Sequence, residues 1–319
     1  MLTIGVDLGG TNIAAGIVDL DHDYSIIRKD SVPTGADRDA SAIVDDMAGL
    51  CLSLLKEENL SPSDIAYIGI ATPGTADSDT GVVKYANNLP FYDFPIGEEL
   101  AKRTGISKVL IENDANAAAK GEAVCGAAKG RVNSVMITLG TGVGGGIIID
   151  NKVYSGFNHA GAELGHIVIQ KDGVPCSCGR KGCWESYSSA TALIRMTREK
   201  LAAVGSASRM WNMVDGDLSK VSGRTAFAAA REGDAAAQEV VDEYLDYLAS
   251  GIASIINIFA PEILSIGGGI SNEKDNLLIP LKERIKKETY TRGNVKETEI
   301  RIATLRNDAG IIGAAVLGR

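Results

Sequence analysis

The sequence is poor in aromatic residues and has no long apolar run. Phe, Trp and Tyr make up 5% of the 319 residues, whereas alanine and glycine are plentiful. This composition suits helices that pack closely against sheets. No apolar stretch approaches the roughly 20 residues that span a bilayer, and Met1–Val6 lacks the basic and the longer apolar segment of a signal peptide. We therefore expect a cytoplasmic protein with no membrane partner.

An excess of positive charge is also absent. The chain has 32 Lys and Arg residues against 41 Asp and Glu residues, which gives a net charge of −9. A protein whose main partner is nucleic acid needs a basic face. We therefore expect no nucleic-acid partner.

The length of the chain indicates two domains, because 319 residues are many for a single core. No low-complexity linker separates the halves, so we place the boundary where Asp114 opens a helix. The prediction is a small N-terminal α/β domain over 1–113 and a large C-terminal α/β domain over 114–319. We expect the C-terminal helix, about 306–319, to pack back on the small domain.

The cysteines are few but unevenly spread. Three of the five lie close together, at Cys176, Cys178 and Cys183, and His166 precedes them. Together they could complete a tetrahedral Cys3His zinc set, although the C-x-C spacing is tighter than the usual spacing of zinc ligands. A disulfide with a spare thiol is the alternative, and it is disfavoured because thiols at alternate positions close a strained ring. The cluster indicates a reducing compartment with a metal site.

Strands and helices alternate along the chain, which predicts an α/β fold. The predicted strands are Leu2–Asp7, Ile13–Asp19, Ile65–Ala71, Lys108–Ile111, Ser134–Thr138, Ile147–Ile149, Ile263–Ile266 and Glu299–Thr304. The predicted helices are Ala40–Glu58, Ile96–Arg103, Ala190–Ala203, Thr225–Arg231, Ala235–Phe259, Leu277–Lys287 and a closing helix from Ala309. Leu8–Thr11 and Leu139–Gly142 form a weak internal repeat, with one Gly-rich hairpin in each half.

Glycine-rich segments follow three of the predicted strands, at Gly9–Gly10, Gly140–Gly146 and Gly267–Gly269. Glycine lets backbone N–H groups approach an anion closely, and concave loops of this kind bind phosphates. None of the three fits the G-x-x-x-x-G-K-[ST] pattern, which excludes a P-loop. A strand rather than a helix follows Gly142–Gly144, so a Rossmann fingerprint is disfavoured.

Asp114 stands where a strand ends and a helix begins, within Glu112–Asn116. An Asp at such a boundary is commonly an N-cap. Phosphoryl transfer also needs a carboxylate that accepts a hydroxyl proton beside a phosphate cradle and a magnesium ion. Asp114 fits that role as well, and Asp7, next to the first Gly-rich turn, could orient hydrated magnesium.

These motifs resemble the ROK group of sugar kinases and repressors, within the actin-like ATPase superfamily, over nearly the whole chain. Asp7–Asn12 resembles the first phosphate motif, Leu139–Gly142 the second, and Gly267–Gly269 the loop on the adenosine side. Glu112–Asn116 resembles the catalytic segment, and Gly161–His166 with Cys176–Glu185 resembles the family signature. The resemblance implies a two-domain actin-like (ribonuclease H-like) fold. It would have mixed sheets flanked by helices and an active site in the interdomain cleft.

The resemblance also implies a role for each matching residue. Asp114 would be the general base, and Asp7 would hold magnesium through water. The sugar would be bound by Gly74, Asn88, Asn113, Asp114, Glu163, His166 and Glu185. ATP would be bound by Gly9, Gly10, Thr11, Asn12, Thr141, Gly142, Gly268 and Gly269. A structural zinc would be held by His166, Cys176, Cys178 and Cys183.

Some positions depart from the pattern or lie beside it. Phe91-Tyr92 stands where many glucokinases have a Trp, in the loop that would touch the sugar. We interpret His159 as a loop residue that supports the site and His22 as solvated surface.

The expected function is that of an ATP-dependent hexose kinase, most simply one that phosphorylates the 6-hydroxyl of glucose. Kinases of N-acetylmannosamine, N-acetylglucosamine, fructose and allose share the motifs and remain alternatives. A sugar-binding transcriptional regulator is disfavoured, because the first strand begins at Leu2 and all three phosphate loops are intact. The expected cofactors are ATP, Mg²⁺ and structural Zn²⁺, and a homodimer or a dimer of dimers is the family expectation.

Overall fold

The computed structural model describes residues 1–319. It contains two five-stranded sheets, one three-stranded sheet and ten α-helices. Both five-stranded sheets combine parallel and antiparallel neighbours. The predicted α/β fold with mixed sheets is therefore confirmed. None of the helices has the length and apolar character needed to span a membrane.

The strands are, in chain order, β1 (Leu2–Leu8), β2 (Asn12–Asp19), β3 (Ser25–Pro33), β4 (Ile65–Thr72), β5 (Thr75–Asp77), β6 (Val82–Tyr85), β7 (Tyr92–Phe94), β8 (Val109–Asn113), β9 (Ser134–Leu139), β10 (Val143–Ile149), β11 (Lys152–Val153), β12 (Ile263–Gly267) and β13 (Glu299–Ile302). The α-helices are α1 (Ala40–Glu57), α2 (Ile96–Thr104), α3 (Asp114–Val124), α4 (Glu185–Ser188), α5 (Ala190–Val204), α6 (Arg209–Met213), α7 (Thr225–Arg231), α8 (Ala235–Phe259), α9 (Asp275–Glu288) and α10 (Ala309–Ala315).

The chain divides into two compact units. The first consists of Met1–Met136, Gly146–Ala162 and Thr304–Arg319, and the second of Ile137–Gly145 and Glu163–Ala303. The domain boundary expected before Asp114 stays a prediction, because compactness alone does not define a domain that folds by itself.

The first sheet has the strand order β3-β2-β1-β4-β8. Strand β1 runs antiparallel to β2 but parallel to β4, and β4 runs parallel to β8. Asp7 of β1 pairs with Ala71 of β4, and Thr72 of β4 pairs with Asn113 of β8. Because these strands are parallel, their carboxyl ends lie at the same edge of the sheet. The sheet thereby brings Asp7 close to the start of α3.

Helix α10 packs on the first sheet through glycines of the strands. A Cβ atom added to Gly5 would lie 1.9 Å from the carbonyl oxygen of Ile311, and one added to Gly69 would lie 1.9 Å from that of Ala314. The hydroxyl groups of Thr3 and Tyr67 both donate to the carbonyl of Ala315, at 3.2 and 2.6 Å. The C-terminal helix therefore lies close against β1 and β4.

The second sheet has the order β11-β10-β9-β12-β13, and β12 pairs with β13 in parallel. In the second unit the long helix α8 begins at the N-cap Asp234, whose side chain accepts from the N–H of Ala237 at 2.9 Å. Gly251 of α8 makes room for the fully buried Trp184, since a Cβ there would lie 2.0 Å from the indole ring. The indole N–H donates to the carbonyl of Tyr247 at 3.1 Å. Helix α8 thereby anchors the cysteine-rich segment.

Some strands are missing from the sequence-based prediction. Strand β3 pairs with β2, but almost all of its side chains are exposed, so no apolar pattern reveals it. The small sheet β5-β6-β7 consists of strands of three or four residues, which are too short to show a period. Strand β10 begins at Val143 rather than at Ile147, because its glycines carry no hydrophobic signal.

Candidate active site

The first Gly-rich turn connects β1 to β2 and keeps its backbone accessible. The N–H of Gly9 donates to the carbonyl of Asn12 at 3.0 Å, which closes the turn. The hydroxyl of Thr34 donates to the carbonyl of Gly9 at 2.6 Å, and the N–H of Thr34 donates to the carbonyl of Thr11 at 2.9 Å. Gly10, Thr11 and Asn12 are exposed. The turn is therefore held from behind while its outer face stays open to a ligand.

Asp7 and Asp114 form a pair of interacting carboxylates beside this turn. Burial, and then the negative charge of Asp114, raise the pKa of Asp7 to about 6. Asp114 keeps access to solvent, but the surrounding protein desolvates its carboxylate and raises its pKa as well. Gly310 is needed here, because a Cβ at that position would lie 2.2 Å from an oxygen of Asp7. Two desolvated carboxylates at one place are typical of a functional site.

The N-cap of helix α3 is Asn113, so the interpretation of Asp114 as the N-cap is wrong. The side-chain oxygen of Asn113 accepts from the N–H groups of Ala115 and Asn116, at 2.9 and 3.3 Å. Asp114 is the first residue of the helix, and its carboxylate accepts from the N–H of the next residue, Ala115, at 2.8 Å. The remaining capacity of this carboxylate is available for a ligand.

The structure also connects the other predicted sugar-binding residues of the first unit. The side-chain amide of Asn113 donates to the carbonyl of Gly74 at 3.1 Å. Gly74 has a φ of +85°, and a Cβ there would lie 2.0 Å from the carbonyl oxygen of Tyr85, so only glycine fits. Asn88 borders the first Gly-rich turn, because a Cβ on Gly10 would lie 4.0 Å from the Cβ of Asn88.

In the second unit, His166, Cys176, Cys178 and Cys183 come together. Their ligand atoms all lie within 4.8 Å of one another, and none of the cysteines forms a disulfide. Nδ1 of His166 is 3.6 Å from the sulfur of Cys176, and the sulfurs of Cys178 and Cys183 are 3.6 Å apart. A tetrahedral zinc ion with sulfur ligands at about 2.3 Å separates those sulfurs by about 3.8 Å. The residues present therefore fit a zinc ion.

Short backbone contacts bring the cluster together. The N–H of Cys176 donates to the carbonyl of Arg180 at 2.9 Å, and an isolated antiparallel bridge connects Val168 with Cys183. A hydrogen bond from the backbone of Arg180 lowers the pKa of Cys178, whereas burial raises the pKa of Cys183 to about 12. A bound metal ion would deprotonate both thiols.

Glu185 lies between this cluster and the second Gly-rich loop. One of its oxygens accepts from the N–H of Val143 at 3.0 Å, and the other is 3.4 Å from the hydroxyl of Ser177. A Cβ on Gly142 would lie 2.1 Å from the Glu185 carboxylate, so a larger residue there would displace that carboxylate. A Cβ on Gly165, two residues after Glu163, would lie 2.2 Å from the carbonyl oxygen of Val143. Glu163, His166 and Glu185 thus all belong to segments that converge on one loop.

The second and third Gly-rich loops lie side by side in the second unit. Gly268 has a φ of +81°, and a Cβ on it would lie 2.5 Å from the carbonyl oxygen of Leu139. The hydroxyl of Thr191 donates to the carbonyl of Thr141 at 2.8 Å, which supports the second loop from behind. Gly269 has open space around it. The glycines predicted to bind ATP in this unit are therefore neighbours.

Sequence reasoning missed several residues that support the site. The hydroxyl groups of Thr34 and Thr191 hold the first and second Gly-rich loops, but an isolated threonine gives no sequence signal. Gly310 could have been suspected, because a glycine near the start of a predicted helix is unusual. His22 is solvated, as predicted, with its side chain 80% exposed.

Comparison with known proteins places these features in a family. The ROK family model matches residues 3–319. A glucokinase of Thermotoga maritima is 39% identical over 98% of this chain and 95% of its own, and a glucokinase of Halalkalibacterium halodurans is 38% identical over 98% and 94%. A ROK family glucokinase of Streptomyces griseus, solved in complex with glucose and AMPPNP, is 35% identical and superposes with a TM-score of 0.83 over 99% of both chains. The fold is thus that of the actin-like ROK sugar kinases, and the chain belongs to the ROK family.

Proposed function

We propose that the protein is an ATP-dependent glucokinase, which transfers a phosphoryl group to the 6-hydroxyl of glucose. The observation that carries this proposal is the pair of desolvated carboxylates, Asp7 and Asp114, beside an accessible Gly-rich turn. The similarity to enzymes named glucokinase over nearly the whole chain supports the choice of substrate.

Asp114 would act as the general base. As the sugar oxygen bonds to the γ-phosphorus, its proton passes to the carboxylate of Asp114, and ADP leaves with the electrons of the broken P–O bond. The raised pKa of Asp114 makes its carboxylate a stronger base than an ordinary Asp. The base would be aligned by the rigid start of α3, which Asn113 caps.

Asp7 would hold magnesium through water. Magnesium bound with ATP neutralises the charge that develops on the phosphates. Burial and the charge of Asp114 alone shift the pKa of Asp7, and no hydrogen bond contributes. The Asp7 carboxylate is therefore available to orient metal-bound water. The N–H groups of Gly9–Asn12, with Thr141, Gly142, Gly268 and Gly269, would bind the nucleotide.

The cysteine cluster would hold a structural zinc ion. His166, Cys176, Cys178 and Cys183 fill all four tetrahedral positions, so no position remains for an activating water. Because Nδ1 of His166 faces the thiols, Nε2 is left to donate a hydrogen bond to a sugar hydroxyl. Glu163 and Glu185, with Gly74, Asn88 and Asn113, would provide the other hydrogen bonds to the sugar.

The proposal also includes the location, the metabolic role and the assembly of the enzyme. We place the enzyme in the cytoplasm and in carbohydrate metabolism, where it would supply glycolysis. A homodimer, or a dimer of dimers, is the assembly that the family leads us to expect.

A coupled ADP-release assay over a panel of sugars tests the proposal. The panel contains glucose, fructose, allose, N-acetylglucosamine and N-acetylmannosamine, with a reaction that lacks sugar as the control. We expect the highest kcat/KM with glucose and almost no release without sugar. A higher value for another sugar would replace the proposed substrate, and sugar binding without any ADP release would favour a sugar-binding regulator.

A further inference from the structure

His159 lies between two carboxylates of the β5–β6 hairpin in the first unit. Its Nε2 atom is 3.3 Å from an oxygen of Asp77 and 3.5 Å from an oxygen of Asp79. Its Nδ1 atom is 3.4 Å from the hydroxyl of Ser78 and 3.5 Å from that of Ser155. The imidazole is only 16% exposed. His159 belongs to segment 155–162 and therefore connects this segment to the tip of the hairpin.

The hairpin side of this contact is well fixed. The carboxylate of Asp77 accepts from the N–H groups of Asp79 and Thr80, both at 3.2 Å, and the N–H of Gly81 donates to the carbonyl of Asp77 at 2.9 Å. Hydrogen bonds at this turn, together with the charge of His159, lower the pKa of Asp77. Asp77 is 15% exposed and Asp79 is 86% exposed, so Asp77 is the stronger partner.

The segment that contains His159 needs such a contact. His159 and Ala162 have φ values of +58° and +65°, which are unfavourable for residues other than glycine. Within the segment, the N–H of Gly161 donates to the carbonyl of Ser155 at 2.8 Å. Backbone strain persists only where tertiary contacts hold it, and here the contact runs through the imidazole. Glu163, a proposed sugar ligand, is the next residue of the chain.

We propose that His159 is a positioning residue that fastens segment 155–162 to the β5–β6 hairpin and thereby sets the affinity for the sugar through Glu163. This inference rests on the proposed function. Nothing in the family signature requires it, because the partners Asp77 and Asp79 lie far from His159 in the chain.

The contact depends on the charge of the imidazole. His159 faces the carboxylates of Asp77 and Asp79, and the charge of Glu112 on β8 also acts on it. Lys84 lies 3.9 Å from the other oxygen of Asp77. An imidazolium is attracted by three carboxylates, whereas a neutral ring keeps one hydrogen bond without the charge. A positive charge at this position therefore strengthens the contact.

Steady-state kinetics at one pH test the proposal. The test variant is His159→Asn, because Asn tolerates a positive φ. In His159→Asn, KM for glucose should rise several-fold, with kcat within about twofold of the wild type. His159→Lys, which keeps a positive charge, should restore a low KM.

His22→Asn is the matched control. His22 also contacts a carboxylate, with 2.6 Å between Nδ1 and Asp19, but it is 80% exposed and lies far along the chain from the sugar-binding segment. Its KM for glucose should match that of the wild type. If His159→Asn matches the wild type as well, the proposal is wrong.

Hydrogen exchange read by mass spectrometry separates this proposal from the proposed function. Amides of 155–162 should lose protection in His159→Asn, whether or not the protein phosphorylates any sugar. Unchanged protection would overturn the contact itself. Lost protection with an unchanged KM for glucose would overturn its role in positioning, and a wild type that is inactive on every sugar would overturn the proposed function alone.

Discussion

Asn113 caps helix α3 and thereby relieves Asp114 of that task. The cap satisfies two N–H groups of the first turn. Asp114 follows as the first helical residue, where the positive end of the helix dipole favours a negative charge. Asn113 thus stabilises the start of the helix, and Asp114 is left for its proposed role as the base.

Asp114→Asn should remove the proton acceptor while α3 keeps its cap. We expect kcat to fall roughly 10²–10⁴-fold, as is typical for loss of a general base, with KM for glucose little changed. Coupled-assay kinetics on folded protein measure both constants. Asp39→Asn is the control, because Asp39 caps α1 by accepting from Ala42 at 2.9 Å. Near-normal turnover of Asp114→Asn would remove the base assignment.

Asp7→Asn should make the ligand-free protein more stable at neutral pH and less active. The folded pKa of Asp7 is about 6 against an ordinary 3.8, so folding favours its protonated form. The stability from Asp7 is fully present below about pH 4 and is lost as the pH rises through about 6. The difference corresponds to at most about 3 kcal/mol at pH 8.

Denaturant unfolding of wild type and Asp7→Asn at about pH 4 and about pH 8 measures this difference. The variant should gain stability over the wild type only at the higher pH, while its kcat falls because the side chain proposed to orient magnesium-bound water loses its negative charge. A gain of equal size at both pH values would show that the charge of Asp7 is not its cause.

The segment Cys176–Glu185 acts as one element, although it contains little regular structure. Its backbone contacts bring its three cysteines together beside His166, and Trp184 fixes it to α8. Glu185 at its end contacts the second Gly-rich loop. A change at a thiol should therefore reach the sugar site through His166 and Glu185.

Cys178→Ser should weaken zinc retention and raise KM for glucose strongly, with a smaller effect on the affinity for ATP. Metal analysis of the purified wild type should give about one zinc per chain. Cys125→Ser is the control, because Cys125 lies outside the cluster and its sulfur is 3.5 Å from the carbonyl oxygen of Gly121. A metal-free wild type with full activity would contradict the arrangement.

The fold of the first unit depends on how its C-terminal helix closes on its sheet. Helix α10 is far from β1 and β4 in the sequence, yet it packs so closely against both strands that only glycine fits at the contacts. The carboxylate of Glu122, which is fully buried, accepts from the N–H of Leu305 at 2.7 Å and holds the chain where it enters this closing segment. The N-terminal strands and the C-terminal helix thus pack together in one core.

Gly69→Ala should test this closure. The added methyl would meet the carbonyl oxygen of Ala314 at 1.9 Å, so α10 must shift, and we expect a loss of about 1–3 kcal/mol or more in the free energy of unfolding. Gly49→Ala is the matched control, since nothing lies within 4 Å of its Cβ position on the exposed side of α1. There we expect a gain of about 0.5–1 kcal/mol. Equal stability of the two variants in denaturant unfolding would contradict the close packing.

Much of the proposed site could be predicted from the sequence because its parts are local. Each Gly-rich turn follows its own strand, the cysteines lie within a few residues of one another, and Asp114 follows directly on a strand. Such features depend on backbone freedom and side-chain chemistry at neighbouring positions. Helices with a clear apolar period could be predicted for the same reason, and α1 (Ala40–Glu57) is an example.

Only the tertiary structure decided which distant segments meet. The contact of Glu185 with Val143 and that of His159 with Asp77 join residues whose own neighbours give no sign of a partner. Strand β3 is held by pairing with β2 rather than by burial of its side chains, so its residues carry no period. The local motifs determined what chemistry this chain can hold, whereas the long-range packing determined which groups stand beside it, because such contacts depend on the whole fold and not on any one stretch of sequence.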